Sequence, residues 1–354
     1  MSTNRYIPVD HRVNSCLIGA NSYEILSTEE MFLQSPLEEF TDPIRQTPQR
    51  RYAIACCAKG DGELWIVPFS LGQHRLPHLL DAMELVLDDC LGRPFFHFPL
   101  DVVTGQDLTG YVMKPIDRTR HRPIRAFLPS SQSPRWQICM SLFRRVRELR
   151  QMGLTSNGFS REQLRVDPTQ AEVSVWLNET MTALEGPHSS QMAVRHRGFF
   201  TIPDATEARC QELGAWVDGG MRDLYSAAVI AFYLIMYTHP FVGSAYYGLV
   251  REDYLDHYQG APEYIMGPDA VNGLGNQMLS RLVADQWQRT VPQLRDLFDA
   301  LFTAITHPDR GWDPSAPCWD PDAWLLALEQ DATANDNESS RVQFQFENEI
   351  YHQV

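Results

Sequence analysis

Apolar and polar residues follow two different rhythms along this chain, and the change falls near residue 113. Between Val13 and Met113 the apolar stretches are short and strand-like. Residues 51–58 (RYAIACCA) and 63–70 (ELWIVPFS) flank Lys59-Gly60-Asp61-Gly62, the pattern of two strands joined by a hairpin. Residues 76–91 then carry Leu79, Leu80, Met83, Leu87 and Leu91 at helical spacing. Two more strand-like runs follow at 96–103 and 110–116, with Gly105-Gln106-Asp107 marking the turn between them.

Helical spacing dominates after that point. Residues 134–153 place Ile138, Leu142, Val146 and Leu149 on one face and basic residues on the other, with Gly153 positioned to end the helix. Residues 163–167 and 172–177 read as short strands around Asp167-Pro168-Thr169-Gln170, and the polar stretch 178–197 reads as an exposed loop. Further helices are expected at 222–237, at 291–306 and around 321–328, with a Gly- and Tyr-rich segment at 243–275. The run DATANDNESS from Asp331 has the composition of a linker. Beyond it, Val342, Phe344 and Phe346 alternate with polar residues, the period of a strand with one apolar face.

Composition narrows the class. A chain of 354 residues predicts two domains or one large two-lobed fold, and 44% hydrophobic residues suffice for a large core. Forty-five acids against thirty bases leave a net charge of −15, which argues against a nucleic-acid groove or an anionic membrane surface as partner. The most apolar run, Leu224 to Tyr237, is shorter than the roughly 20 residues a membrane span needs. The N-terminal MSTNRYIPVDHR has no signal-peptide pattern, and the seven cysteines include no C-x-x-C pair. A cytoplasmic protein with reduced thiols is the expectation.

Strands with one helix, then a helical half, is the order of the protein-kinase-like fold, and particular residues carry that resemblance. Arg222-Asp223-Leu224-Tyr225-Ser226 opens an apolar helix that closes in His239-Pro240-Phe241-Val242-Gly243. This resembles a bacterial branch of kinase-like proteins marked by His-Pro-Phe-x-Gly, found with von Willebrand-type and phosphatase partners or fused to helix-hairpin-helix modules. Phe98-Pro99-Leu100-Asp101 and Gly110-Tyr111-Val112-Met113 resemble the run into that family's hinge, at 113–118 here. Phe200-Thr201-Ile202-Pro203-Asp204 matches the end of the activation segment, and Leu297-Phe298, Arg310 and Trp324 match the closing pattern. The resemblance implies an α+β, two-lobed fold: a β-rich lobe over 1–114, a helical lobe over 115–330, a disordered linker at 331–341 and a docking strand at 342–354. It also implies structural roles for Asp223, which braces the catalytic loop from below, and for Arg310.

The chemistry of the family is missing at the matching positions. A working kinase needs a catalytic Asp, an Asn five residues later and a metal-binding Asp after the next hairpin. Gly158, Gln163 and Leu177 stand there. A glycine cannot accept a proton from a hydroxyl and a leucine cannot ligate Mg²⁺; Gln163 offers only a neutral oxygen. Cys16 to Tyr23 is the nearest approach to a phosphate-cradling loop, with the single Gly19. The strand lysine depends on register. With 63–70 as third strand, Pro68 or Phe69 takes its place and Glu84 lies on the following helix; with 51–58, Lys59 is the candidate. The first is preferred because the helix follows directly.

The expectation is thus a catalytically inactive pseudokinase, with no cofactor required and ATP binding without metal left open. It acts as a scaffold or allosteric subunit for a protein or peptide partner, or for a second copy of itself, with Val342, Phe344 and Phe346 as partner-binding residues. The alternative is a phosphoryl- or nucleotidyl-transferase using relocated acids, Glu162, Glu179 or Asp204, or a peptide-docking subunit of a modification complex. His239 is expected to pack under the helix end. Ala261-Pro262-Glu263 follows that helix instead of preceding it and reads as a loop, as do His188 and His196. Arg118, Arg120, Arg122 and Arg125 read as a solvated basic surface.

Overall fold

The computed structural model describes residues 16–18, 22–24, 27–31, 52–58, 63–68, 76–86, 93–104, 109–114, 120–124, 134–159, 163–177, 180–184, 199–241, 251–267 and 277–335. The architecture is mixed α+β. Strands β1 (Cys16–Ile18), β2 (Ser22–Glu24), β3 (Ser27–Met31), β4 (Tyr52–Ala58) and β5 (Glu63–Pro68) precede helix α1 (Leu76–Val86). Strand β6 (Phe96–His97) follows, then β7 (Pro99–Thr104) and β8 (Thr109–Met113). All but β6 join one seven-stranded sheet in the order β2-β1-β7-β8-β5-β4-β3. The expected hairpin is present: β4 and β5 pair antiparallel, with Ala58 opposite Glu63. Pro99 lacks an N–H, and a register shift separates Pro99 from Asp101 where β7 pairs with β8. On α1 the core side is Leu79, Ala82 and Met83, whereas Leu80 is 42% exposed and does not share that face.

The sheet corrects one expectation. Residues 16–18 and 22–24 pair with each other, and Ile18 sits opposite Thr104 of β7. The strands flanking the turn read as a phosphate-cradling loop therefore lie at the far edge, separated from β5 by β7 and β8. Gly19 itself, Lys59 and Phe69 lie outside the described residues.

A second sheet, ordered β6-β12-β11-β9, connects to the helices through β9 (Arg122–Pro123), β11 (Leu164–Asp167) and β12 (Glu172–Trp176). β11 and β12 form the expected hairpin, and Asp167 Oδ1 accepts from both the N–H and the hydroxyl of Thr169 to close its turn. β6 pairs parallel with β12, matching Trp176 with His97. Between these strands runs α2 (Arg135–Gln151), preceding β10 (Leu154–Thr155). Its apolar face is as expected, but the basic residues are not all opposite it. Arg145 is only 4% exposed. It stacks 4.0 Å from the Phe95 ring and pairs with Glu148 at 2.6 Å and Glu172 at 3.0 Å, so the charge is neutralised where it is buried.

Thr180 to Leu184, expected within an exposed loop, is ordered instead. Its strand β13 (Thr182–Ala183) pairs with β10 and packs against α1, with Thr180 and Met181 fully buried. Helices α3 (Asp204–Glu212), α4 (Gly219–Met236), α5 (Arg251–Gly260), α6 (Gln277–Arg289), α7 (Pro292–Thr306), α8 (Pro308–Gly311) and α9 (Pro321–Asn335) follow. α4 begins one turn earlier than expected because the Asp218 side chain caps it, accepting from Met221 N–H at 2.7 Å. α3 and α5 lack a clean apolar period, which hid them, whereas α6 carries Leu279, Leu282, Val283 and Trp287 at helical spacing and was legible but not assigned. At the centre Phe232 packs edge-to-face on Phe298 and Phe302, Trp324 does the same on Phe298, and Trp324 stacks on Phe143 of α2 at 5.0 Å.

The linker composition of 331–335 also misled. These residues are the last turns of α9, and Asp331 is completely buried. Its carboxylate accepts from Trp136 Nε1 at 2.6 Å and from Val291 N–H at 2.7 Å, tying α2 to the start of α7. Residues 336–354, including Val342, Phe344 and Phe346, lie outside the described residues. Replacing Asp331 with Ala removes the acceptor that the Trp136 and Val291 donors share. We expect a loss of about 1–3 kcal/mol per orphaned donor, read by urea unfolding; an unchanged midpoint would show that the contacts carry no stability.

Candidate functional site

Three features meet at the start of α4: the loop that follows β10, the segment 199–204 and the helix itself. The loop 155–159 is buried, so each of its polar groups needs a partner. Asp223, in the second turn of α4, supplies most of them. Its Oδ2 accepts from Thr155 Oγ1 at 2.8 Å and from Ser156 N–H at 2.9 Å, and its Oδ1 accepts from Gly158 N–H at 2.7 Å. Thr155 Oγ1 in turn accepts from Asn157 N–H. One turn later, Ser226 Oγ accepts from Phe159 N–H and donates to Phe200 O at 2.6 Å, linking the loop to the 199–204 segment.

Glycine makes this approach feasible. A Cβ on Gly219 would lie 2.4 Å from Thr155 Cγ2 and 2.9 Å from Asn157 Oδ1, so the helix start touches the loop only without a side chain there. The loop backbone bends through two positive φ values, 59° at Asn157 and 96° at Gly158. Asn tolerates the left-handed region, and the Asn157 side chain is fixed by bonds from its Nδ2 to Thr180 O and Thr182 Oγ1. Its Oδ1 accepts from Arg222 at 3.4 Å, and Arg222 pairs with Glu207 of α3 at 3.0 Å. Both partners of that ion pair are almost fully buried.

Burial pushes the Asp223 carboxyl up to about 6, against the pull of its three donors and of Arg150. Arg150 reaches the same helix start, donating to Gly220 O at 3.1 Å and to Trp319 O at 2.7 Å. On the other sheet, burial holds His97 down to about 4, helped by His121 and Lys114.

The sequence-derived site residues separate into two groups. Gly158, Gln163 and Asp223 come together: Gln163 Nε2 donates to Ser156 Oγ at 2.9 Å, so its amide is spent on the loop. Leu177 is fully buried, its N–H bonded to His97 O, and belongs to the core. Asp204 is exposed in the first turn of α3, a placement that suits a helix N-terminus. Arg310 is exposed on the one-turn α8, where Pro308 is the buried member, and the buried arginine of this region is Arg222. Glu84 is exposed on α1. Glu162 and Glu179 lie outside the described residues, as do His188 and His196. Among the described residues no cluster of three His, Cys, Asp or Glu side chains is arranged to hold a metal ion. No helix among them is long and apolar enough to cross a membrane.

Sequence reading missed Thr155, Asn157, Glu207, Tyr258 and Gln259. Only the spacing Arg222-Asp223-x-x-Ser226, which puts three polar groups on an otherwise apolar helix, signalled that partners had to exist. No known protein-family model matches the chain. No curated protein matches it either.

Two outcomes follow from this geometry. Asp223→Asn replaces one accepting oxygen with an amide NH2 that faces donors and should cost about 1–3 kcal/mol per mispaired group. Because the folded carboxyl titrates near 6 and the unfolded one at 3.8, its contribution is complete below 3.8 and is lost as pH rises through 6. The stability gap between wild type and Asp223→Asn should therefore narrow from pH 4 to pH 7 in denaturant titrations; a widening gap would mean the acid is already ionised at pH 4. At Gly158, a Cβ would meet Ser226 Oγ at 3.2 Å on a backbone of φ 96°. Gly158→Asp should lose about 1–3 kcal/mol, measured by the same unfolding; equal stability would refute the strain.

Proposed function

We propose that the chain is a non-catalytic, two-lobed member of the protein-kinase-like fold that acts by binding a protein or peptide partner. The observation that carries this reading is the loop under Asp223. It is braced from α4 as the resemblance implies, yet the position matching the catalytic Asp is a glycine whose backbone and surroundings leave no unstrained room for a carboxylate. Support also comes from Leu177, sealed in the core where a metal-binding Asp would stand, and from Gln163, whose amide is bonded within the loop. Strands β3, β4, β5, β7 and β8 with α1 between the third and fourth are compatible with the five strands and one helix of the family's first lobe. Cytoplasmic placement and a von Willebrand-type or phosphatase partner belong to the same reading, from the resemblance to the His-Pro-Phe-x-Gly branch.

The competing reading, transfer by relocated acids, rests on Glu162 and Glu179, since Asp204 stands at a helix start. Thermal shifts with ATP and ADP, each with and without Mg²⁺ or Mn²⁺, separate the two. The non-catalytic protein should show no metal-dependent gain in melting temperature and no phosphoryl transfer to itself or to a generic protein. Metal-dependent transfer abolished by Glu162→Ala or Glu179→Ala would overturn the proposal.

A further inference from the structure

Segment 199–204 is held by its backbone from three places, the loop after α4, α4 itself and α5. His239 Nε2 lies 2.7 Å from Phe199 O, Ser226 Oγ donates to Phe200 O at 2.6 Å, and Tyr258 OH donates to Thr201 O at 2.6 Å. Asp204 N–H then donates to Gln259 Oε1 at 2.9 Å. Three successive carbonyls are thus capped from the loop after α4, from α4 and from α5.

The His239 bonds admit one protonation state. Phe199 O can only accept, so Nε2 carries a proton; Phe241 N–H donates to Nδ1 at 3.2 Å, so Nδ1 carries none. The ring is therefore neutral. It is 4% exposed and is walled by the rings of Phe199, Phe200, Phe241 and Tyr258, with centroids 5.5–6.1 Å away.

We propose that His239 is an acid-operated latch on segment 199–204: neutral, it holds the segment down, and its protonation releases it. A second proton on Nδ1 would point at the Phe241 N–H, replacing a hydrogen bond with two opposed donors. It would also place a full charge among aromatic rings and out of water. The titratable and charged groups of α4 are Asp223, bonded to the 155–158 loop, Arg222, paired with Glu207 of α3, Tyr225, whose hydroxyl meets that of Tyr258 on α5 at 2.6 Å, and the half-buried Tyr233. Asp204 of α3 and Asp256 of α5 are exposed, and His257 of α5 is half-buried. The latch does not depend on whether the protein has catalytic activity.

Hydrogen exchange of the amides of Phe199, Phe200, Thr201, Ile202 and Asp204, corrected for the intrinsic pH dependence of exchange, tests this with the full chain at pH 7.5 and 5.0. Wild type should lose at least tenfold in protection at pH 5.0, with no such loss in α7. His239→Gln, which cannot titrate, should show weaker protection that is the same at both pH values. Nitrogen NMR of the histidine side chains should find His239 neutral with its proton on Nε2 at pH 7.5, and protonated where protection falls. Equal wild-type protection at both pH values, or an undiminished pH dependence in His239→Gln, would overturn the latch. If that variant does not fold, a wild-type His239 that stays neutral while the segment opens overturns it equally.

Discussion

One buried carboxylate sets the geometry at the centre of this protein. Asp223 receives a hydroxyl and two backbone N–H groups from a loop that has no access to water, and without it those donors would be stranded. The constraint propagates outward. To bring the acid within bonding distance, α4 must start against the loop, so Gly219 must lack a side chain and Asp218 must cap the helix one turn before its apolar stretch begins. The loop must then bend through two left-handed residues, which fall on an asparagine and a glycine, the two residue types that adopt such angles at least cost. The Arg222–Glu207 pair and Ser226 extend the same polar seam to α3 and to segment 199–204.

On the proposed reading, this arrangement keeps a kinase-like frame without the groups that phosphoryl transfer needs. Brace, loop and closing segment are present, but every polar group named in the loop is bonded within the protein. On the same reading, the rigidity of such a seam suits a subunit that presents itself to another macromolecule. The strain at Gly158 adds a further point. A protein that had only exchanged Asp for Gly would be expected to keep space for the lost side chain, whereas here Ser226 Oγ stands 3.2 Å from where a Cβ would be.

Strong periodicity made much of the fold legible. The β4–β5 and β11–β12 hairpins, α1, α2, α4 and α7 all announced themselves through spacing, turn residues or uninterrupted apolar runs. What stayed hidden was governed by tertiary partners. Arg145 reads as a surface residue until Phe95, Glu148 and Glu172 surround it, and Asp331 reads as linker until Trp136 and Val291 present their donors. Thr180 to Leu184 looks like loop because its burial comes from pairing with β10 and packing under α1. In the site, Asp223 and Gly158 could be singled out from the sequence. Asn157 and Glu207 could not, because their roles arise from chain segments that meet only in three dimensions.

The most direct measurement of the central brace is residue-resolved amide exchange at Ser156 and Gly158 in the unmodified protein. If both N–H groups are held by the buried carboxylate, they exchange as slowly as the amides of the α4 interior, opening only when the protein unfolds globally. Exchange at the rate of an ordinary solvent-facing loop, with α4 still protected, would contradict the brace and the organisation built on it.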